Sequence, residues 1–261
     1  MINIRIARVF EGWRHERLRA IWDCVSEYHK SWLRLCWYPV PAGDSHADAF
    51  DAMWDIERHT SNNVFSVMTE ADFLPYVDNI KPYIKEMAQL CLKEKYGALG
   101  YEYLTRHPRT RALMSHDQKT AGWFLLLNRK ECPKFLTFQG VPDPCNQLQD
   151  HMRVGHDTDV HDMYPEHPGL DYESGIHLFW SRHLHDDPNQ VVAGFRLGDI
   201  QDSHDLTVDN WIAEQPQEFQ DLLNHRCPGI DKAKTWKHRN PSATSDSCSA
   251  ATAASSTSPE S

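Results

Sequence analysis

The chain has 261 residues, of which 40% are hydrophobic and 25% charged, a composition typical of a globular protein. Its formal net charge of −10 and its scattered lysines and arginines argue against a nucleic-acid partner, because phosphate contacts need clustered basic side chains. No apolar run approaches the roughly 18 residues of a membrane span, and the first residues lack the apolar region of a secretion signal. The seven cysteines form no CxxC pair, which predicts free thiols in a reducing compartment and a cytoplasmic protein.

The first half of the chain is predicted to be largely helical. Apolar and polar residues alternate from Ile2 to Val9, which predicts a first strand. A stripe of apolar residues at helical spacing then predicts a helix over 13–37 that Pro39 ends. A shorter helix is predicted over 46–58.

A third helix is predicted to follow a short strand at 63–68. The segment Thr69-Glu-Ala-Asp72 has the spacing of a capping box, which favours a helix that starts there and continues to about Tyr96. Gly97 is predicted to end it.

Two antiparallel hairpins and a last helix are predicted downstream. Apolar runs at 123–127 and 135–138 indicate the first hairpin, and those at 176–184 and 191–197 indicate the second. The last helix is predicted to start near Pro216. The sequence thus predicts the α+β class, with an N-terminal helical half packed against antiparallel hairpins.

Two parts of unequal size are expected along the chain. Residues 1–238 are predicted to form a single globular α+β domain. Residues 239–261 are rich in Ser, Thr and Ala and contain no large apolar residue, so they are predicted to form a disordered tail.

A cluster of His and Asp between His151 and His204 is the strongest chemical signal. Imidazole is the commonest transition-metal ligand and the usual acid or base near neutral pH. The sharpest pattern is His183-Leu-His185 at the end of a predicted strand, where both side chains lie on one face, together with His177. Ile176 lies on the opposite face, which is predicted to meet the core.

The metal hypothesis takes His183 and His185 as the primary ligands. The loop at 155–162 offers three candidates for the remaining position, which are His156, Asp159 and His161. Two His and one carboxylate suit Fe(II) with open positions for substrate, whereas three His and a water suit Zn(II). The expected function is that of a metal-dependent oxygenase or hydrolase that acts on a small molecule.

Two further residues are candidates for supporting roles in that site. Asp187 is predicted to orient a ligating imidazole. Arg196, which lies in an otherwise apolar predicted strand, is predicted to hold an anionic substrate. A second zinc hypothesis uses Cys132, Cys145, His151 and His156 as a structural set.

Two other function classes stay open from the sequence. The strand at 2–9, its long helix and the segment Asp186-Asp-Pro-Asn-Gln-Val-Val-Ala-Gly-Phe-Arg-Leu197 loosely resemble acetyltransferases of the GNAT type, which implies an acyl-CoA substrate. The pyrophosphate-binding turn of that family is missing at 198–202. An accessory protein that binds a protein partner is the remaining alternative, since fold does not settle function.

Overall fold

The computed structural model describes most of the chain up to Arg239. The described residues are 2–8, 12–39, 45–102, 120–133, 135–138, 148, 151–157, 160–161, 169–172, 174–178, 187–192 and 195–239. The helices are α1 (Trp13–Tyr28), α2 (His46–Thr60), α3 (Ile80–Glu94), α4 (Leu197–Glu214), α5 (Gln217–Arg226) and α6 (Ala233–Arg239). The strands are β1 (Ile2–Arg8), β2 (Leu33–Pro39), β3 (Phe65–Glu70), β4 (Phe73–Pro75), β5 (Ala98–Glu102), β6 (Thr120–Asn128), β7 (Val154–Asp157), β8 (Val160–His161), β9 (Gly169–Tyr172), β10 (Gly175–Leu178), β11 (Val191–Val192) and β12 (Phe195–Arg196).

The main sheet has six strands in the order β2-β1-β3-β6-β5-β7. The first three run parallel, with Ile4 in register with Leu35 on one side and with Val67 on the other. β6 pairs antiparallel with both β3 and β5, and β7 adds a parallel edge. A mixed sheet with helices confirms the predicted α+β class.

Different helices cover the two faces of this sheet. Because side chains alternate along a strand, Ile4 and Ile6 face one side of β1 and Ala7 faces the other. Ile4 and Ile6 belong to the core that α1 and α3 help to form, whereas Ala7 belongs to a separate core with α2. This division follows from the chain path. α1 connects β1 to β2 on one side of it, and α2 connects β2 to β3 on the other side of β1.

The order of the parallel strands reverses direction at β1. β2 lies on one side of β1 and β3 on the other, although the three follow one another in sequence. Open α/β sheets bind ligands in the crevice beyond the carboxyl ends of the strands at such a switch point. The carboxyl ends of β1 and β3 therefore mark the place where the fold favours a site.

A second, four-stranded sheet begins at that edge. Its order is β4-β10-β9-β8, and β4 starts three residues after β3 ends. β10 pairs antiparallel with β4, which puts Ile176 opposite Leu74 and His177 opposite Phe73. The short link between β3 and β4 thus joins the two sheets.

The C-terminal helices pack against α1. Arg14 makes two hydrogen bonds to Asp205 of α4, at 3.0 and 2.9 Å. The fully buried Arg17 donates to the carbonyl oxygen of Ile230 at 2.7 and 2.9 Å. These bonds hold α4 and the turn before α6 against the helix that covers the parallel strands.

The predicted helix over 13–37 is wrong in its second half. α1 ends at Tyr28, and the amides of Trp32 and Leu33 both donate to the carbonyl oxygen of His29 in the turn that follows. Residues 33–39 then form β2 along β1. Pairing with β1 satisfies the backbone of this segment, so tertiary context overrides its helical spacing.

The first predicted hairpin is replaced by longer-range pairings, because β6 pairs with β3 and β5 rather than with 135–138. Of the second, β10 pairs with β4 and β9 and β11 pairs with β12, while 179–186 lies outside the described residues. Among the described residues, no helix combines the length and apolarity that a membrane span requires.

Candidate metal centre

Three potential metal ligands meet where the two sheets join. Glu70 is the last residue of β3, Asp72 lies in the link to β4, and His177 lies on β10. The main-chain amide of Leu178 donates to the carbonyl oxygen of Asp72 at 3.0 Å, which ties β10 to the link. Strand pairing therefore brings His177 to the two carboxylates across about 105 residues of sequence.

The three side chains are close enough to share one ion. His177 Nε2 lies 3.6 Å from Asp72 Oδ2 and 3.9 Å from Glu70 Oε2. One ligand atom from each residue lies within 4.8 Å of the others. Adjacent ligands of an octahedral ion with bonds of about 2.1 Å lie about 3 Å apart, so shifts of about 1 Å would close the set.

The cluster is buried but retains an outlet to solvent. The exposed fraction of the side chain is 9% for His177, 8% for Asp72 and 15% for Glu70. Glu70 is thus the most accessible ligand and marks the direction of approach. Burial strengthens electrostatic attraction to a cation, because little water screens it.

Trp123 fixes the ring of His177. The two rings stack with centroids 4.5 Å apart and planes inclined by 14°. Trp123 is itself held by β6 and by a short hydrogen bond from the Thr69 hydroxyl to its carbonyl oxygen. Thr69 is the residue before Glu70, so the stacking residue and the first ligand are positioned by the same pair of strands.

Two opposing effects set the charge of His177. Burial alone lowers the pKa of its imidazole, because desolvation disfavours the charged form. The carboxylates of Asp72 and Glu70 outweigh burial and raise the pKa to about 9. In the metal-free protein at neutral pH the imidazole is therefore protonated, and a metal ion that binds the imidazole nitrogen must displace that proton.

The donor set indicates which ions fit. Two carboxylates and one imidazole combine ligands that Mg²⁺ and Mn²⁺ favour with one that Fe²⁺ and Zn²⁺ favour. The residues present fit a divalent ion, and three protein ligands leave coordination positions for a substrate.

Some of the ligands predicted from the sequence lie outside the described residues, and two others lie on different sheets. His183, His185, Asp159 and Cys145 lie outside the described residues, so the HxH pattern stays a prediction. His156 lies on β7 at the edge of the main sheet, whereas His161 lies on β8 of the second sheet. The side chains of both lie outside the described part of the structure, so these two ligands stay predictions.

The two predicted supporting residues lie on the surface. Asp187 is exposed, and its Oδ1 accepts hydrogen bonds from the main-chain and side-chain nitrogens of Asn189 at 2.9 and 3.1 Å. Arg196 is exposed at the start of α4. Their proposed roles stay predictions.

Sequence reasoning missed Glu70 and Asp72 because it assigned them to a helix. The predicted capping box does not form: β3 continues to Glu70, and α3 begins only at Ile80 after Asn79. His177 was expected on a face opposite the core, yet it is buried, as is Ile176. A signal was present, since two carboxylates spaced by one residue directly follow an apolar strand.

No protein-family model matches this chain, and no curated protein sequence matches it. Among solved structures, A197 from STIV has a TM-score of 0.42 and 9% sequence identity over 62% of this chain and 85% of that chain. The catalytic domain of Drosophila β1,4-galactosyltransferase 7 with xylobiose has a TM-score of 0.39 and 14% identity, covering 78% of this chain and 81% of that one. A mutant of the Drosophila enzyme with manganese, UDP-Gal and xylobiose has a TM-score of 0.38 and 14% identity over 77% and 79% of the two chains. Similarity at this level establishes neither a common family nor a common fold.

Proposed function

We propose that this chain is an enzyme that uses a divalent metal ion, held by Glu70, Asp72 and His177, to act on a small molecule that carries a diphosphate. The observation that carries the proposal is the meeting of these three ligands at the switch point of the sheet. A site of this composition is typical of ions that bind one or two carboxylates together with substrate phosphates.

The surroundings favour an anionic substrate. β1 and β3 end at the same edge, with Ala7 in register with Glu70, and α1 begins shortly after β1 ends. The N-terminus of a helix that follows a parallel strand carries a partial positive charge and unpaired amides, which attract phosphate. The same edge therefore offers a cation site and a helix terminus to one ligand.

Each residue of the cluster has a defined part in this proposal. Asp72 and Glu70 supply the negative charge that attracts the ion, and His177 supplies a neutral nitrogen once its proton has left. Trp123 keeps the imidazole in place. When bound, the ion would neutralise charge that develops on a departing phosphate oxygen.

Nucleotide-activated sugars are the first substrate class to test, because a divalent ion chelates their diphosphate and assists its departure. The reaction would then be transfer of the sugar to an acceptor, with slow transfer to water where no acceptor is present.

Metal binding is the first measurement. We expect the full chain to bind one Mn²⁺ by titration calorimetry and by loss of the free Mn²⁺ signal in electron paramagnetic resonance. Asp72→Asn should abolish binding at the concentrations used, whereas Asp221→Asn, which alters an exposed carboxylate on α5, should not change it. Wild-type protein that binds no divalent ion would refute the proposal.

Turnover is the second measurement. The Mn²⁺-loaded chain is incubated with a panel of nucleoside diphosphate sugars, and the released nucleoside diphosphate is quantified. Release that needs both Mn²⁺ and Asp72 supports the proposal. Metal binding without release from any member of the panel would remove this substrate class and leave the metal site in place.

A further inference from the structure

The start of β10 lies very close to the main chain of β4. Gly175 is buried and in register with Pro75, and His177 is in register with Phe73. A Cβ atom added to Gly175 would lie 2.3 Å from the carbonyl oxygen of Leu74 and 2.7 Å from the Cα atom of Pro75. Real Cβ atoms essentially never approach other atoms to less than 3.0 Å. Glycine at this position therefore permits an approach of the two strands that any other residue would prevent.

The strand that a side chain at position 175 would meet is firmly packed. Phe73 and Leu74 have no exposed surface and belong to the larger of the two hydrophobic cores. The obstructing atoms belong to the main chain, so they cannot turn aside as the end of a flexible side chain can. A substitution at Gly175 would therefore push β10 away from β4, by about 1 Å if the new Cβ atom is to reach an ordinary contact distance.

Ser174 holds the same end of β10 from two directions. Its carbonyl oxygen accepts a hydrogen bond of 2.8 Å from the amide of Tyr76, directly after β4. Its hydroxyl group forms a short hydrogen bond with the hydroxyl group of Tyr101, which lies on β5 of the main sheet. Neither Ser174 nor Tyr101 has any exposed surface. The start of β10 is thus fixed to both sheets.

The place of the His177 ring depends on this end of the strand. His177 follows Gly175 by two residues, so the two lie on the same face of β10. Its ring stacks on Trp123 of the main sheet, and its Nε2 atom lies 3.6 Å from Oδ2 of Asp72. Because Asp72 lies in the link just before β4, a shift of β10 away from β4 would lengthen that separation and disturb the stack.

We propose that Ser174 and Gly175 are positioning residues of the metal centre, which place β10 so that His177 can share one ion with Glu70 and Asp72. Gly175 permits the close approach of the strands and Ser174 holds it, and both act through His177. This inference rests on the proposed function, since it concerns the same ligand set. It adds that the affinity of the site for metal depends on the contact between β4 and β10.

Gly175→Ala tests the close approach. We expect the affinity for Mn²⁺ to fall at least about 10-fold, as is typical when a group that orients a metal ligand is lost. Gly97→Ala is the matched control, because a Cβ atom there would meet the flexible side chain of Met152, 2.5 Å from its sulfur. Gly97 is also buried, and it lies beside Asn128, five residues along β6 from Trp123. The control should lose some stability and bind Mn²⁺ as the wild type does.

The ring of His177 gives a second measurement, which a loss of stability alone does not change. Its centroid lies 4.5 Å from that of Trp123, so the ring current of the indole should shift the carbon-bound protons of the imidazole upfield in nuclear magnetic resonance spectra. Their absence from the spectrum of His177→Gln assigns these signals. In Gly175→Ala they should move downfield, whereas Gly97→Ala should leave them in place. The measurement uses metal-free protein, so it separates a failure of this inference from a failure of the proposed function.

Ser174→Ala gives an answer if Gly175→Ala does not fold. It removes the hydrogen bond to Tyr101 without adding an atom, so the start of β10 loses one of its two attachments. We expect the His177 signals to move downfield and the affinity for Mn²⁺ to fall about 2- to 10-fold, in line with the loss of one hydrogen bond. Ser66→Ala alters a fully buried serine of β3 and is the control, which should show neither change.

Two results would overturn the proposal. The first is a folded Gly175→Ala in which the His177 signals or the Mn²⁺ affinity equal those of the wild type, and Ser174→Ala is judged in the same way if Gly175→Ala is unfolded. The second is an equal change in the matched control, because the site would then respond to any loss of packing. If the wild type binds no Mn²⁺, the proposed function fails, whereas the His177 signals still show whether Ser174 and Gly175 place the ring.

Discussion

One buried cluster of charge lies on the α2 side of β1, another lies at the carboxyl end of β3, and the two are built differently. On the side of α2, Arg5 Nε lies 2.6 Å from Glu57 Oε2, so one positive charge meets one negative charge at hydrogen-bond distance. Asn3 and Thr60 add hydrogen bonds to this pair. The cluster is balanced and closely bonded, as a structural ion pair must be when the Glu57 side chain has no exposed surface.

The metal-centre cluster has the opposite character. Among the described residues its two carboxylates outnumber its one imidazolium, and His177 Nε2 lies 3.6 Å from Asp72 Oδ2 and 3.9 Å from Glu70 Oε2, wider than the contact between Arg5 and Glu57. An excess of negative charge and a spacing wider than direct bonds suit a set of groups that can close around a cation. The comparison indicates that charge balance and spacing, rather than burial alone, separate a structural pair from a candidate site.

The largest effect is expected from breaking the balanced pair. Glu57→Ala removes the partner of Arg5 and should lower the free energy of unfolding by about 3–5 kcal/mol, because an unpaired charge is left buried. Denaturant unfolding measures the loss. Glu86→Ala, on the exposed face of α3, is the matched control and should change stability by less than about 0.5 kcal/mol.

A double variant sharpens this prediction. Arg5→Met combined with Glu57→Leu removes both charges and should recover much of the lost stability, since apolar residues can replace a buried pair. If the double variant is as unstable as Glu57→Ala, the pair has a role other than mutual neutralisation.

Two segments with the spacing of a capping box, one at the start of α2 and one at the end of β3, fold differently. Ser45 and Asp48 form a true capping box, with the Ser45 amide donating to Asp48 at 2.8 Å and the Asp48 amide donating to Ser45 at 3.2 Å. Thr69 and Asp72 have the same spacing but end a strand instead. Both segments have the capping-box spacing. The second does not open a helix, because β3 pairs with β1 and β6.

α4 was largely missed for a different reason. Its buried face carries Gln201, His204 and Thr207 among the apolar residues, so the hydrophobic stripe is interrupted. A helix that buries polar side chains in this way does not show the usual apolar periodicity. By contrast, the start of β1 and the whole of α2 follow simple patterns, and both were predicted closely.

The site itself lay beyond single-sequence reasoning. Glu70 and Asp72 were visible as a pair of carboxylates, but His177 joins them only through the pairing of β10 with β4. Nothing in a single sequence fixes a pairing at such a distance. The cluster of His downstream was therefore the stronger signal in the sequence, while the described structure brings together residues from two separate segments.

The second prediction concerns Asp72. Asp72→Asn should weaken Mn²⁺ binding at least about 100-fold, equivalent to about 2.7 kcal/mol, because it removes one of three ligands and half of the negative charge. The same variant should cost the metal-free protein less stability than Glu57→Ala, since Glu70 remains beside His177. A loss of stability equal to that of Glu57→Ala would instead show that the cluster is a structural ion set.

The third prediction is the dependence of stability on pH in the metal-free protein. His177 has a folded pKa of about 9 against an unfolded value of about 6.5, so its contribution is complete below pH 6.5 and is lost as the pH rises to 9. The loss should be on the order of 2–3 kcal/mol. Denaturant unfolding at a series of pH values measures it.

His177→Gln supplies the reference for that series. Cys227 acts in the opposite direction, because its pKa is lowered, and the difference between wild type and His177→Gln cancels its effect. The difference should shrink steadily from pH 6.5 to 9. A difference that stays constant would mean that His177 keeps its charge state throughout. In the same range, Mn²⁺ affinity should rise up to about tenfold per pH unit as the proton becomes easier to displace.

The smallest effect is expected at Trp123. Its ring stacks on His177 without offering a ligand atom, so Trp123→Leu removes orientation and leaves the donor set intact. Stacking of this kind is worth about 0.5–1.5 kcal/mol, which predicts a fall in Mn²⁺ affinity of about 2- to 10-fold. Trp54→Leu, a similarly buried tryptophan in the α2 core, is the control for loss of packing. If both variants lose the same stability and only Trp123→Leu loses affinity, the stack positions the ligand; equal affinity in both would confine Trp123 to the core.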